Sequence, residues 1–130
     1  MSDASLFEVQ DEATAEIEIY DSAGAGTGIF VTVYSQDSVV ATTMRRKMLD
    51  RRLGRMQRRG SSKATLRAEE LEAEAMELRI ICTKSWRELK WKGVELECNE
   101  DNKRMLYSKA PLIRNQVDDA IADSSLFMKG

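Results

Sequence analysis

Ten basic side chains lie between Arg45 and Arg67 (Arg45, Arg46, Lys47, Arg51, Arg52, Arg55, Arg58, Arg59, Lys63, Arg67) against a single acid, Asp50. A run of this density can bind carboxylates or phosphates, so three uses are open to it: compensation by acids elsewhere in the chain, recognition of a protein partner, or contact with nucleic acid. Catalytic chemistry finds fewer candidates. The chain has no histidine, which removes the usual general base and every Ser-His or Cys-His dyad. Cys82 and Cys98 do not form a CxxC pair, and in a chain of this kind two such cysteines are expected to be reduced rather than bridged or metal-bound. The small-residue stretch Ala23 to Gly28 (AGAGTG) lacks the lysine and following hydroxyl of a phosphate-binding loop. The expectation is a protein that is not an enzyme and that takes no cofactor and no metal.

Charge is sorted along the chain. Residues 1 to 44 hold eight acids and no Lys or Arg, a net −8; residues 45 to 67 come to +9 and the remainder to −3, giving the overall −2. A near-neutral total therefore hides a strong internal asymmetry. The eight N-terminal carboxylates could compete with phosphate for the arginines, and the basic segment is poor in aromatics for base stacking, so nucleic acid is the weakest of the three uses and none is expected as a partner.

The 130 residues, 42% hydrophobic and 32% charged, amount to one domain, 1–130, of a soluble protein. No stretch approaches the roughly 20 apolar residues of a membrane span and the acidic start has no signal-peptide character, so a cytosolic protein is expected, without a membrane partner. Residues 1–12 carry no clear period and are expected to be disordered until something binds them. Over 15–34, Ala15, Ile17 and Ile19 alternate with Glu16, Glu18 and Tyr20, and a small-residue turn leads into Ile29 to Tyr34 (IFVTVY). This predicts an antiparallel hairpin whose Ile29, Val31 and Val33 face the core, with Phe30 and Tyr34 on the opposite face for a helix or a neighbouring subunit.

A basic helix is predicted over 38–59, started by Asp37 or Ser38 and ended at Gly60. Its apolar residues form two arcs: Val40, Ala41, Met44 and Met48 on one side, and Leu49, Leu53 and Met56 roughly 120° further round. Either Gly54 breaks the helix or the helix has two partners. An acidic helix is predicted over 66–85, with Glu69, Glu70, Glu72, Glu74 and Glu77 able to oppose the arginines in an αα-hairpin. Its core stripe reads as Ala68, Leu71, Ala75, Leu78, Cys82 and Trp86, leaving Met76 and Ile80 as a small outward patch. The methionines of this pair either fill the core or offer an adaptable surface. Residues 86–98 read as a short Trp-containing, β-like connection, either a small hairpin about a Lys92-Gly93 turn or an extended crossing that lets Trp86 and Trp91 seal one end of the core.

Two helices are predicted over 100–127. Asn99 is a good N-cap and Pro111 suits a first helical position, and Ile113, Val117, Ala120, Ile121, Ser124 and Phe127 fall on one side of the second helix at roughly 100° per residue. The fold class expected is α+β, mainly α: an N-terminal antiparallel β-hairpin, an αα-hairpin, a β-like connection and two C-terminal helices. The candidate partner surface comprises Met44, Arg51, Met56 and Arg58 on the basic helix, Met76 and Ile80 on the acidic one, and Phe30 and Tyr34 on the hairpin. Exposed apolar residues in these places predict self-association.

The ending, Asn99 to Tyr107 (NEDNKRMLY) followed by Ala110 to Phe127 (APLIRNQVDDAIADSSLF), resembles the tail assembly chaperones of long-tailed bacteriophages. The strand pair Ile17 to Tyr34, the basic helix Met44 to Arg59, the acidic Leu66 to Leu78 and the Trp86 to Gly93 segment follow the same order of elements. The resemblance implies a non-enzymatic assembly factor that coats the tape measure protein, attracts tail tube subunits, and leaves before the virion is complete. It also implies work in the host bacterial cytoplasm. The rival classes are a structural tail or head-tail subunit of the virion and a small nucleic-acid-binding regulator.

Overall fold

The computed structural model describes residues 3–59 and 68–128; the side chains of Met56, Arg58 and Arg59 lie outside the described set. The described residues form a mixed α+β fold of four helices and a three-stranded antiparallel sheet with a separate small hairpin. Strands β1 (Thr14–Tyr20) and β2 (Gly26–Tyr34) pair with Ile17 opposite Val31 and Ala15 opposite Val33. The register shifts between Glu18 and Tyr20. Gln116 bridges that irregularity: its side-chain carbonyl accepts from Tyr20 N and its amide donates to Tyr20 O, both at 2.8 Å, so a side chain does what a neighbouring strand would do. At the hairpin tip the Asp21 carboxylate accepts from the amides of Ala23 and Ala25, and Gly24 takes the positive φ of +83° that the turn demands.

Helix α1 (Val39–Arg59) is capped by the buried Ser38, whose hydroxyl accepts from Ala41 N at 3.2 Å, and it runs unbroken through Gly54. Helix α2 (Ala68–Cys82) lies antiparallel to it, Arg51, Arg52 and Arg55 meeting Glu77, Glu74 and Glu70 in turn. The acidic helix predicted over 66–85 therefore ends early. Residues Thr83–Arg87 form strand β3, which adds to β2 with Val33 opposite Thr83 and Val31 opposite Trp86. The switch is made at Thr83, a β-branched residue whose hydroxyl donates back to Arg79 O at 2.8 Å and shares a 2.6 Å hydrogen bond with the buried Tyr107 hydroxyl. Burial also pushes the Tyr107 phenol above its ordinary range.

Strands β4 (Lys90–Trp91) and β5 (Val94–Glu95) make a two-residue hairpin around Lys92 and Gly93, both with positive φ, the backbone a tight primed turn requires. Trp86 and Trp91 are half-buried against the core, and Trp86 Nε1 donates to Leu96 O at 2.7 Å. Helix α3 (Glu100–Lys109) is capped by Asn99, which accepts from Asn102 N at 2.8 Å, and helix α4 (Pro111–Ala122) opens on its proline. A 3₁₀ turn over Ser124–Phe127 follows.

The core lies between the inner face of the sheet (Ile19, Val31, Val33) and the buried faces of α2, α3 and α4, with Leu106, Val117, Ile121 and Phe127 among its members. The first dozen residues, expected to be disordered, are placed from Asp3 onward. Ala4–Phe7 form a 3₁₀ turn, Val9 bridges to Met128, and Asp11 O accepts from Val39 N at 3.0 Å. Among the described residues no helix is long and apolar enough to cross a membrane.

Candidate partner-binding groove

The basic and acidic helices compensate one another along their seam. Arg51 meets Glu77 at 2.7 Å, Arg52 meets Glu74, and Arg55 meets Glu70 at 3.5 Å. The Arg52 guanidinium, donating to Glu74, holds that carboxyl below its ordinary range, and Glu77 raises Arg51 in return. Solvent screens these partly exposed pairs, so they set the register of the helices more than they hold them together. The pairing occupies guanidinium groups that would otherwise be available to phosphate.

Beside this seam α1, α2 and the start of α3 enclose an open groove of about 560 Å³. Its apolar floor is Met44 from α1 with Ile80 and Ile81 from α2. Lys47, Asp50 and the Arg51–Glu77 pair form one rim, and Glu100 and Arg104 of α3 form the other, 3.6 Å apart. Lys103 holds α3 against this site by donating to Thr83 O at 2.7 Å and Ile80 O at 3.3 Å, placing a cation at the C-terminal end of α2 where the helix dipole favours one. The lining residues include no hydroxyl, thiol or imidazole. What the groove can do is receive an apolar side-chain cluster and meet charges of either sign at its edges.

Three of the predicted partner residues, Met44, Arg51 and Ile80, come together here. Ile80 is not the surface patch expected of it. It is 8% exposed and belongs to the core, giving the groove one flank only. Met76 also turns inward, packing against the core with its sulfur 3.7 Å from the Arg79 guanidinium, which donates to it. The expected stripe holds only in its second half: Leu78, Cys82 and Trp86 meet the core, whereas Ala68, Leu71 and Ala75 are exposed and Arg79 and Ile80 are buried in their stead. Phe30 and Tyr34 alternate with the buried Val31 and Val33, and both are half-buried, Tyr34 packing against the core cluster. Arg87 stacks on Phe30 with its guanidinium carbon 4.0 Å from the ring centre, and Lys84 sits 6.0 Å from Tyr34, so cations of β3 cover the rings in place of a helix. The Met56 and Arg58 side chains lie outside the described residues.

Among the apolar lining residues, the one that helical patterning missed is Ile81, 40% exposed beside the buried Ile80 and about 100° round the helix from it. Both cysteines are free, with burial pushing the Cys82 thiol up to about 11. Comparison of the chain with protein-family models, with curated proteins and with solved structures finds no match to any of them.

Proposed function

We propose that this chain is a non-enzymatic assembly chaperone for the tails of long-tailed bacteriophages, holding the tape measure protein in a soluble state and helping to recruit tail tube subunits in the host cytoplasm. The reading draws on the resemblance of the ending Asn99 to Phe127, and the observation that carries it is the open groove with an apolar floor and a mixed-charge rim. Such a surface suits an amphipathic client helix. The client gains burial on Met44 and Ile81, and its flanking charges find both signs at the edge, so binding is tolerant of client sequence and weak enough to reverse.

The test is co-expression with the tape measure protein of the same phage, reading the fraction of that protein that stays soluble. The intact chain should raise it, and Ile81→Lys, which places a charge on the floor at an exposed position, should remove most of the gain while leaving the circular dichroism spectrum unchanged. A client equally soluble with and without the chaperone refutes the proposal, as does recovery of the chain as a stoichiometric component of purified virions.

A further inference from the structure

Among the exposed apolar residues outside the groove are two close pairs. On α1, Leu49 and Leu53 stand one turn apart and are 50% and 47% exposed. By helical position they lie on the side of α1 opposite Met44, and Arg45 and Arg46 stand on either side of them. At the N-terminus, Leu6 and Phe7 are 53% and 66% exposed. They are displayed there by a built turn: Asp3 accepts from Ser5 N at 2.9 Å, and Leu6 N and Glu8 N donate to Asp3 O and Ser5 O. The turn is bordered by Asp3, Glu8, Asp11 and Glu12, none of which enters an ion pair among the described residues. Hydrogen bonding to Ser5 keeps the Asp3 carboxyl below its ordinary range and so ionised at neutral pH.

We infer that the acidic N-terminal turn of one copy, through Leu6 and Phe7, docks on the Leu49 and Leu53 face of α1 of a second copy. The two surfaces are complementary in both chemistry and charge: an apolar pair edged by carboxylates meets an apolar pair edged by guanidinium groups. Within one chain they do not cover each other, since both remain half exposed, and Val9, two residues from Phe7, is pinned by its bridge to Met128. The contact is heterologous, because the turn and the helix face are different patches. It therefore propagates from copy to copy into a ring or an open array rather than stopping at a symmetric dimer. This goes beyond the client-binding reading and stands independently of the groove.

Sedimentation velocity over a range of protein concentrations tests it. The intact chain should associate, and more weakly as salt rises. Leu6→Ser with Phe7→Ser should abolish association, as should Leu49→Ser with Leu53→Ser. An equimolar mixture of the two double variants should give a heterodimer and nothing larger, because each retains the half that the other lacks. The inference is overturned if the intact chain stays monomeric at every concentration, if the N-terminal variant associates as the intact chain does, which would mean a helix-to-helix contact, or if the mixture stays monomeric. Should the helix variant lose its circular dichroism signal, Glu8→Lys with Glu12→Lys replaces it. That pair lies on exposed positions and should weaken association at least tenfold at low salt; unchanged association would equally overturn the inference.

Discussion

Replacing Ile80 and Leu71 separately by alanine asks which way α2 faces. Ile80→Ala removes three carbons from a side chain that is 8% exposed. At about 0.8 kcal/mol per buried methylene the transfer loss is about 2.5 kcal/mol. The cavity contribution is small here, because Ile80 borders the open groove and water can enter the space left behind. Leu71→Ala removes as many carbons from a residue 51% exposed, which halves the transfer loss to about 1 kcal/mol, and the better helix propensity of alanine offsets a few tenths of that. Urea denaturation followed by circular dichroism should therefore show a midpoint shift for Ile80→Ala at least twice that for Leu71→Ala, with equal slopes. Equal shifts, or a larger one for Leu71→Ala, would mean that Ala68, Leu71 and Ala75 meet the core after all and that the facing argued from Ile80 is wrong.

Two further predictions concern titration and reactivity. Because Arg52 lowers Glu74 from its ordinary value of 4.5, the folded state binds this proton less readily than the unfolded chain does; the resulting stability is present above that value and is lost as pH falls through the lowered one. Helical signal at 222 nm, titrated from pH 6 to pH 3 in the intact chain and in Glu74→Gln, should show a steeper acid loss in the intact chain, and superimposable curves would refute it. A thiol-specific disulfide reagent at pH 8 should modify the half-buried Cys98 in the native protein and Cys82 only on unfolding, since burial suppresses the Cys82 thiolate; simultaneous modification of both in native buffer would contradict the burial of Cys82.

The two ends of the fold and the span of α1 were legible, whereas the facing of α2 and the existence of β3 were not, for identifiable reasons. In β1 and β2 one face is buried and the other is not, so period-two alternation of Ile17, Ile19, Val31 and Val33 transmits the facing directly. Asn99 and Pro111 each satisfy a local rule of helix ends that needs no tertiary information. Helix α2 fails the same treatment because its buried face contains Arg79. An apolar template assigns an arginine to solvent, yet here Asp118 accepts from its Nε and a second guanidinium nitrogen at 2.6 and 2.9 Å, and the Tyr107 ring lies 5.8 Å away. Those partners come from α3 and α4, distant in sequence. Strand β3 was hidden because its one apolar residue of five, Trp86, was absorbed into a helical stripe, while its pairing partner β2 lies some fifty residues earlier. For the candidate site, Met44 and Arg51 were readable from helical spacing, whereas the far rim of the groove depends on Lys103 docking α3 onto the end of α2.

The two arcs of α1 connect the client groove to self-association. Had the helix broken at Gly54, each arc could have faced the same partner on its own segment; since it runs continuously from Val39 to Arg59, the arcs must face different surroundings. Ala41 and Met48 are buried and Met44 reaches the groove, so the first arc is accounted for inside the molecule. Leu49 and Leu53 are not. Covering the exposed halves of these two leucines with those of Leu6 and Phe7 from a second copy yields roughly 1 kcal/mol per residue, about 4 kcal/mol in all before the cost of association is subtracted. A contact of that size is weak when made once and becomes persistent only when repeated along an array or a common client. Weak repeated contacts would suit a factor proposed to cover a long client and then leave it, because such an array would dissolve copy by copy without any one strong interface having to break.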